Sequence, residues 1–213
     1  MRAVALAAPL SLATLGGVLA GQEGCLRVKA ALASRLIERS FEAHLADGRP
    51  HRPWRWADTH PIASLELPRL GLRRIVLEGA SGASLAFGPG HLDGTAAPNA
   101  GGTSVIAGHR DGDFACLAQL RPGDEVRLRT PGALVRYAVV ATAVVGDRDG
   151  SLLEPVAPPS RRLVLVTCWP FGGLTRSRWR YVVICEPRRA GRAAPPAARR
   201  SMLGRGPIEE EAP

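Results

Sequence analysis

The chain begins with a long run of residues that carry no charge. Residues 3–22 contain no Asp, Glu, Lys or Arg and consist mostly of alanine, leucine, glycine and valine. Because about 20 residues of helix span the hydrocarbon core of a bilayer, residues 1–25 are predicted to be a hydrophobic signal-anchor helix. The small residues at 18–21 also fit a cleaved signal peptide, and a buried soluble helix is the third interpretation.

A helical pattern follows over residues 26–45. Its apolar positions recur at four-residue steps, with charged residues off that stripe, and they are Ala33, Ile37, Phe41 and Leu45. An Asp-Gly-Arg-Pro sequence ends the pattern. The Pro- and Trp-rich residues 51–61 predict an extended linker that anchors Trp54 and Trp56 on a neighbouring surface. Residues 26–61 are therefore interpreted as an amphipathic helix with its linker.

From residue 62 the pattern changes to short apolar runs separated by turns. The runs are rich in Val, Ile and Leu, and residues typical of turns lie between them. Residues 114–120 add a short helix. The predicted strands are 62–67, 74–77, 104–107, 125–129, 134–145, 163–167 and 179–184. This many short strands with few helices are typical of a closed or nearly closed β-barrel, so a mostly β domain is predicted over residues 62–186.

Composition and charge narrow the class of protein. Of the 213 residues, 46% are hydrophobic and 22% are charged, which suits one globular domain with appended segments and excludes a wholly disordered chain. The net charge is +9, but the excess of basic residues is divided evenly among residues 1–61, 62–186 and 187–213. No basic stripe is concentrated in one section, so no nucleic-acid binding is predicted. Residues 187–213, rich in Arg, Ala and Pro, predict a disordered tail.

Two residues capable of catalysis follow directly on apolar runs. The run 163–167 leads straight into Cys168, where Trp-Pro ends the strand. Arginines close behind it favour the nucleophilic thiolate; they are Arg176, Arg178 and Arg180. His109 follows the apolar run 105–108 and is the natural base. A buried apolar cysteine and an ordinary surface histidine are the alternatives at this point.

Other kinds of site lack their motifs. The four cysteines, Cys25, Cys116, Cys168 and Cys185, have no C-x-x-C spacing. The chain also lacks H-E-x-x-H, G-x-S-x-G and Walker sequences. Acidic residues at 93, 111 and 113 do not have the spacing of an EF-hand. No metal and no cofactor are therefore predicted, and Cys168 is expected to stay free, because a disulfide would silence it.

Several motifs, taken in order, resemble one known family. The sequences Gly-Pro-Gly-His, Gly-Gly-Thr-Ser-Val-Ile-Ala-Gly-His-Arg-Asp, Leu-Arg-Pro-Gly-Asp, Val-Leu-Val-Thr-Cys and Arg-Tyr-Val-Val begin at residues 88, 101, 120, 164 and 180. Together they look like a sortase, over residues 62–186. The Cys-Trp-Pro-Phe sequence at 168–171 and Trp-Arg-Trp-Ala-Asp at 54–58 are most similar to the proteobacterial branch, also called marine proteobacterial or class GN.

The resemblance implies a cysteine transpeptidase on a closed eight-stranded sortase-like β-barrel. It implies that Cys168 is the nucleophile, His109 the general acid and base, and Arg180 the residue that stabilises the reacting carbonyl. Arg178 is the rival for the last role, since alternate residues of a strand face the same way if the strand starts early enough.

Four residues are expected to bind substrate in a groove, and they are Thr167, Arg178, Trp169 and His91. Thr167 is expected to pack or hydrogen-bond beside the nucleophile, and Trp169 stands where the branch usually has tyrosine. His91 either reaches the groove or has only a structural role in its turn. The loop that borders the presumed groove is short, which leaves the sequence preference of the groove open.

The resemblance also implies partners and a location. The substrate would be a protein with an LPxTG-like sorting signal, and the second substrate would be an amine acceptor. The N-terminal helix would hold the chain in the inner membrane as a single-pass protein, with the catalytic domain on the periplasmic side. A non-catalytic membrane-tethered β-barrel that binds peptides is the alternative function, and a cysteine hydrolase that releases its substrate to water is the second enzyme alternative.

Overall fold

The structure is a computed structural model of the chain. It describes residues 2–150, 157, 159–173, 175 and 177–188, and for residues 2–21 and 23 it describes the backbone alone. The tail predicted over residues 187–213 lies outside the described residues, except for its first two positions. The domain boundaries proposed from the sequence stay predictions.

Eight strands close into a barrel with few helices. The strands are β1 Pro61–Leu67, β2 Leu72–Leu77, β3 Gly90–His91, β4 Gly102–Ala107, β5 Glu125–Arg129, β6 Leu134–Gly146, β7 Arg161–Trp169 and β8 Trp179–Pro187. Around the barrel their order is β1-β2-β3-β4-β7-β8-β6-β5. Among the described residues, the helices include α1 Arg2–Asp47 and α2 Gly82–Leu85, and 3₁₀ segments lie at Pro68–Leu70 and Ala115–Gln119. The predicted mostly β, closed eight-stranded barrel is confirmed.

Strand alternation separates the barrel into an inner and an outer layer of apolar residues. On β7, Leu163 and Leu165 belong to the main inner core, whereas Val164 belongs to an outer cluster with Val105 and Val182. Side chains of successive strand residues point to opposite faces, so the parity of a residue on β7 decides its layer. Burying each of these Leu or Val side chains contributes about 1.5–3 kcal/mol.

Helix α1 packs its C-terminal half on the barrel. Ile37 and Phe41, 4% and 0% exposed, lie on the predicted apolar stripe. His44 is hydrogen-bonded through Nδ1 to the Pro61 carbonyl at 3.0 Å, and Ser40 Oγ donates to the carbonyl of His51. These contacts fix the end of the helix against the start of β1. Within the part of the chain that is described, no helix has a stretch both long and apolar enough to cross a bilayer.

The linker after α1 holds only one of its two predicted anchors. Trp54 packs edge-on against Phe87, with ring centroids 5.1 Å apart. Trp56 is 81% exposed, so the expectation that it anchors the linker is wrong. The reason is a turn in which the Ala57 N–H donates to the Trp54 carbonyl at 3.0 Å. This turn places Ala57, 2% exposed, against the protein and leaves the Trp56 side chain outside.

Candidate active site

Cys168 lies on the outer face of β7, one residue from the strand's end. It has the same parity as Val164 and Val166, which contribute to the outer cluster, and it is half-buried. Trp169 is the last residue of the strand. The sequence placed Cys168 at the lip of a strand, and the structure adds that its thiol is on the outer surface of the barrel.

Arg180 stands directly across from Cys168 on the neighbouring strand. In the antiparallel pairing of β7 with β8, Cys168 is opposite Arg180 and Val166 is opposite Val182. Directly opposite residues of an antiparallel pair share a face, with Cβ atoms about 4.5–5.5 Å apart. Arg180 therefore projects from the same outer face as Cys168.

His109 reaches the same place from the other side of Cys168. Strands β4 and β7 are parallel, with Ala107 beside Val166, and the Gly108 N–H donates to the Val166 carbonyl at 3.1 Å. Strand β4 ends at Ala107, and His109 follows Ala107 by two residues, as Cys168 follows Val166. Adjacent strands are about 4.8 Å apart. The exposed His109 and the half-buried Cys168 therefore lie at the same end of two adjacent strands.

The segment that carries His109 is fixed by its backbone. Thr167 is buried, and its hydroxyl donates to the Gly108 carbonyl at 2.7 Å. The His109 carbonyl accepts from the Phe114 N–H at 3.0 Å, and Phe114 is fully buried. A Cβ at position 108 would lie 2.7 Å from the Phe114 ring, so only glycine fits there. Thr167 forms a hydrogen bond next to the proposed nucleophile, and its role in substrate binding stays a prediction.

The Arg180 guanidinium contacts the segment that leads into β8. Its Nη1 donates to the Ser177 carbonyl at 2.7 Å and to the Trp179 carbonyl at 3.0 Å. Its Nη2 is 3.8 Å from a carboxylate oxygen of Asp147. The rival Arg178 is exposed and precedes β8, which starts at Trp179. Arg178 would share the face of Arg180 only if β8 started before Trp179, and it does not.

The side chains of Trp169 and His91 make ring contacts and hydrogen bonds with other residues. Trp169 stacks on Tyr181 with centroids 5.8 Å apart and meets Phe171 edge-on at 5.6 Å. His91 is 6% exposed and is hydrogen-bonded through Nε2 to the Ala96 carbonyl at 3.0 Å. These are contacts of supporting residues, and the substrate-binding role of both stays a prediction.

Comparison with known proteins identifies the family. The protein-family model of the sortase domain matches residues 65–188 of this chain. The chain belongs to the sortase family. It is similar to sortase D of Bacillus subtilis (strain 168), with 30% identity over 119 residues, 56% of this chain and 60% of that relative. The chain therefore spans only about three fifths of the curated relative's length.

Solved sortase structures share the fold. Sortase A from Corynebacterium diphtheriae matches with a TM-score of 0.56 and 29% identity, over 64% of each chain. Sortase C-1 from Actinomyces oris matches with a TM-score of 0.55 and 29% identity, over 61% of this chain and 73% of that one. A Clostridium perfringens sortase D5 transpeptidase, at 21% identity and a TM-score of 0.60 over 74% and 98% of the two chains, shows the fold alone.

The cysteines of this sortase lie in contrasting environments. Cys185 is completely buried, and burial raises the pKa of its thiol far above the ordinary value. Burial also raises the pKa of the Cys116 thiol. Cys25 is exposed on α1, far along the chain from the barrel. A thiol with a raised pKa stays protonated and is a poor nucleophile, so Cys185 and Cys116 are poorly suited to attack.

Two residues of the site were not singled out from the sequence. Arg110 donates through Nη2 to the Gly173 carbonyl and to the Thr175 carbonyl at 2.7 Å. Asp147 lies beside the Arg180 guanidinium. The one signal for Arg110 was its position next to His109, and nothing in the sequence connected Asp147 with β8. In the described residues, no three His, Cys, Asp or Glu side chains are grouped as metal ligands.

Proposed function

We propose that this sortase is a cysteine transpeptidase that works through Cys168, His109 and Arg180. The observation that supports the proposal is the pairing of three adjacent strands: Cys168 on β7 is opposite Arg180 on β8, and β4, which leads to His109, runs parallel to β7 on its other side. A base has to come within hydrogen-bond reach of the proton it moves. A non-catalytic barrel that only binds peptides would not need the Cys168 thiol and the His109 imidazole at the same end of adjacent strands.

The reaction consists of two acyl transfers. The Cys168 thiolate attacks a backbone carbonyl of the substrate, and His109 gives a proton to the amine that leaves as the C–N bond breaks. This step forms a thioester on Sγ. An acceptor amine then attacks the thioester, His109 takes its proton, and the thiolate leaves as the new amide bond forms. Water in place of the amine gives hydrolysis.

Arg180 supplies hydrogen bonds to the developing oxyanion or to the substrate backbone. One group of this kind is worth about 2.7–4 kcal/mol of transition-state stabilisation. Two of the five N–H donors of a guanidinium are used by the contacts of Nη1 with Ser177 and Trp179. The donors on Nε and Nη2 are the ones proposed to serve the substrate, with Asp147 holding the charge in orientation.

The substrates are proposed from the family resemblance. They are a protein that carries an LPxTG-like sorting signal and an amine acceptor. The outer face of β7 and β8 supports this, since an extended peptide can approach a thiol that is half-buried but not enclosed by the barrel core. The membership in the class GN branch stays a prediction.

The location is a proposal of the same kind. Residues 1–25 are proposed to hold the protein in the inner membrane, with the barrel on the periplasmic side. The run of residues 3–22 without charge supports this. Membrane fractionation followed by intact-mass measurement tests it. A full-length mass in the membrane fraction supports the anchor, and a soluble protein shortened near residue 21 contradicts it.

A joining assay tests the proposed activity. The full chain is incubated with an LPxTG-like peptide, with and without a small primary amine, and the products are identified by mass spectrometry. The proposal expects a joined product that depends on the amine. Release of the hydrolysed peptide alone, unaffected by the amine, would instead make the protein a hydrolase, and no turnover of the peptide would contradict the proposed substrate class.

A further inference from the structure

The described part of the segment that joins β7 to β8 consists of residues 170–173, 175, 177 and 178. An arginine from another part of the site holds it. We propose that Arg110 is a positioning residue that fixes this β7–β8 loop beside Cys168 and His109 and thereby sets the affinity for the substrate peptide. The effect on affinity rests on the proposed transpeptidase function. The structural part, the fixing of the loop, stands independently of the reaction.

The hydrogen bonds of Arg110 join two segments that are distant in the sequence. Its Nη2 donates to the carbonyls of Gly173 and Thr175, the latter at 2.7 Å. Arg110 immediately follows His109, whereas the two acceptors follow Cys168 in the chain. One guanidinium therefore connects the segment of the proposed base to the loop that leaves the nucleophile.

The loop approaches the Arg110 guanidinium closely at Gly173. A Cβ at position 173 would lie 3.1 Å from Arg110 Nη1, 3.2 Å from the Pro170 carbonyl oxygen and 3.3 Å from Arg110 Cζ. Such distances are shorter than ordinary van der Waals contact, so a side chain at 173 would push the guanidinium away. The φ angle of Gly173 is not in the left-handed region. Gly173 therefore suits the limited space beside Arg110 and the Pro170 carbonyl, and its backbone freedom is not the reason.

The loop is held at a second point by Arg180. The Arg180 Nη1 donates to the Ser177 carbonyl at 2.7 Å, near the end of the loop, while Arg110 holds its middle. The beginning of the loop packs through Phe171 against Tyr181, with centroids 5.1 Å apart. Loss of Arg110 would release the middle of the loop and leave both ends attached. The expected change is thus local, without unfolding of the barrel.

A planar guanidinium is suited to this position. Its fixed fork of N–H groups can serve two carbonyls at once, whereas a lysine ammonium is a point charge on a flexible stem. Arg110→Lys is therefore expected to restore only part of what Arg110→Ala loses. Because Nη2 is engaged with the loop, Arg110 acts through the position of that loop and is not assigned contact with the reacting atoms.

A set of variants tests the proposal through two independent measurements. In full-length Arg110→Ala, we expect the KM for an LPxTG-like peptide to rise about tenfold, as for loss of a hydrogen bond made by a charged group, with kcat changed much less. Hydrogen exchange of the loop amides should accelerate while that of β4, β7 and β8 stays as in the parent. A merely structural role would lower the stability of the strands and leave the KM unchanged.

The double variant gives the sharpest contrast. Gly173→Ala alone should raise the KM and loosen the loop, because it displaces the guanidinium. In the Arg110→Ala background the same change should have a smaller effect, because only the Pro170 carbonyl oxygen, 3.2 Å from the added Cβ, still crowds position 173. Gly132→Ala is the matched control, since a Cβ there meets nothing within 4 Å and it lies in the β5–β6 turn.

The two measurements keep the two proposals apart. Unchanged loop exchange and unchanged KM in Arg110→Ala would overturn the role of Arg110. Additive effects of Arg110→Ala and Gly173→Ala would also overturn it, because independent sites add. If the parent protein joins no peptide, the proposed function fails, while the exchange data still decide whether Arg110 fixes the loop.

Discussion

Each face of the β7–β8 pair carries one cysteine, and the two cysteines lie in opposite environments. Cys185, on the inner face, is completely buried opposite Leu163, and burial raises the pKa of its thiol. Cys168, on the outer face, is half-buried opposite Arg180. Strand parity alone separates the two positions. Side chains on the inner face pack in the barrel core. On the outer face, the Cys168 thiol is opposite Arg180 and belongs to the proposed site with His109.

The largest expected effect is loss of activity on the outer face. Cys168→Ala should reduce turnover of a sorting peptide by about 10⁴-fold or more, as for removal of a nucleophile. The free energy of unfolding should change little, because the side chain is at the surface of the barrel. Kinetic assays and urea denaturation measure the two quantities. Substantial residual joining by this variant would show that another group performs the attack.

The inner face should respond in the opposite way. Leu165→Ala, at a position that is 0% exposed, should lower the free energy of unfolding by about 2–5 kcal/mol. Val166→Ala, its half-buried neighbour on the outer face, should cost clearly less. Denaturant unfolding of both variants provides the comparison. Equal losses would mean that the two faces of β7 do not differ in packing as described.

The third prediction distinguishes two arginines near the start of β8. Arg180→Ala should lower kcat by about 10²–10³-fold, the usual loss for an oxyanion-stabilising donor. Arg178→Ala should have little effect, because Arg178 is exposed and precedes the strand. Single-turnover kinetics with the same peptide measure both. The reverse order of effects would transfer the stabilising role to Arg178.

The smallest effect concerns an inner-face hydroxyl. Burial raises the pKa of Tyr137 to about 12, and its hydroxyl donates to Asn99 Oδ1 at 3.1 Å. A raised pKa in the folded state stabilises the protein below the unfolded value of about 10, and this stability is lost as the pH rises through 10 to 12. The contribution is on the order of 2 kcal/mol.

Tyr137→Phe isolates this contribution. The difference in unfolding free energy between parent and variant should shrink as the pH rises across that range. The stability that the buried thiols contribute also falls as the pH rises, and it does so in both proteins. Only the difference in unfolding free energy between parent and variant is therefore diagnostic. A difference that stays constant with pH would mean that Tyr137 ionises equally in the folded and unfolded chains.

Much of the barrel follows from local patterns. The strands β1, β2 and β4–β8 coincide with runs of Val, Ile and Leu between turns, and α1 contains the four-residue stripe of Ile37 and Phe41. Strand β3 was not predicted, because its two residues, Gly90 and His91, are too few to show alternation. The exposure of Trp56 was missed because it depends on a turn that buries Ala57.

The site could be predicted only in its parts. Cys168 and His109 both follow apolar runs, so their positions at strand ends were readable. Their proximity depends on the parallel pairing of β4 with β7, and strand pairing is decided by the whole fold. The contacts of Arg110 and Asp147 depend on the path of loops, which the pattern of polar residues does not specify.

The most direct test of the account is the site of the covalent intermediate. The full chain is mixed with a sorting peptide without amine, quenched in acid, digested and analysed by mass spectrometry. The account predicts an acyl adduct on the fragment that contains Cys168, and none after His109→Ala within the same reaction time. An adduct on Cys25 or Cys116, or joining without any adduct on Cys168, would contradict it.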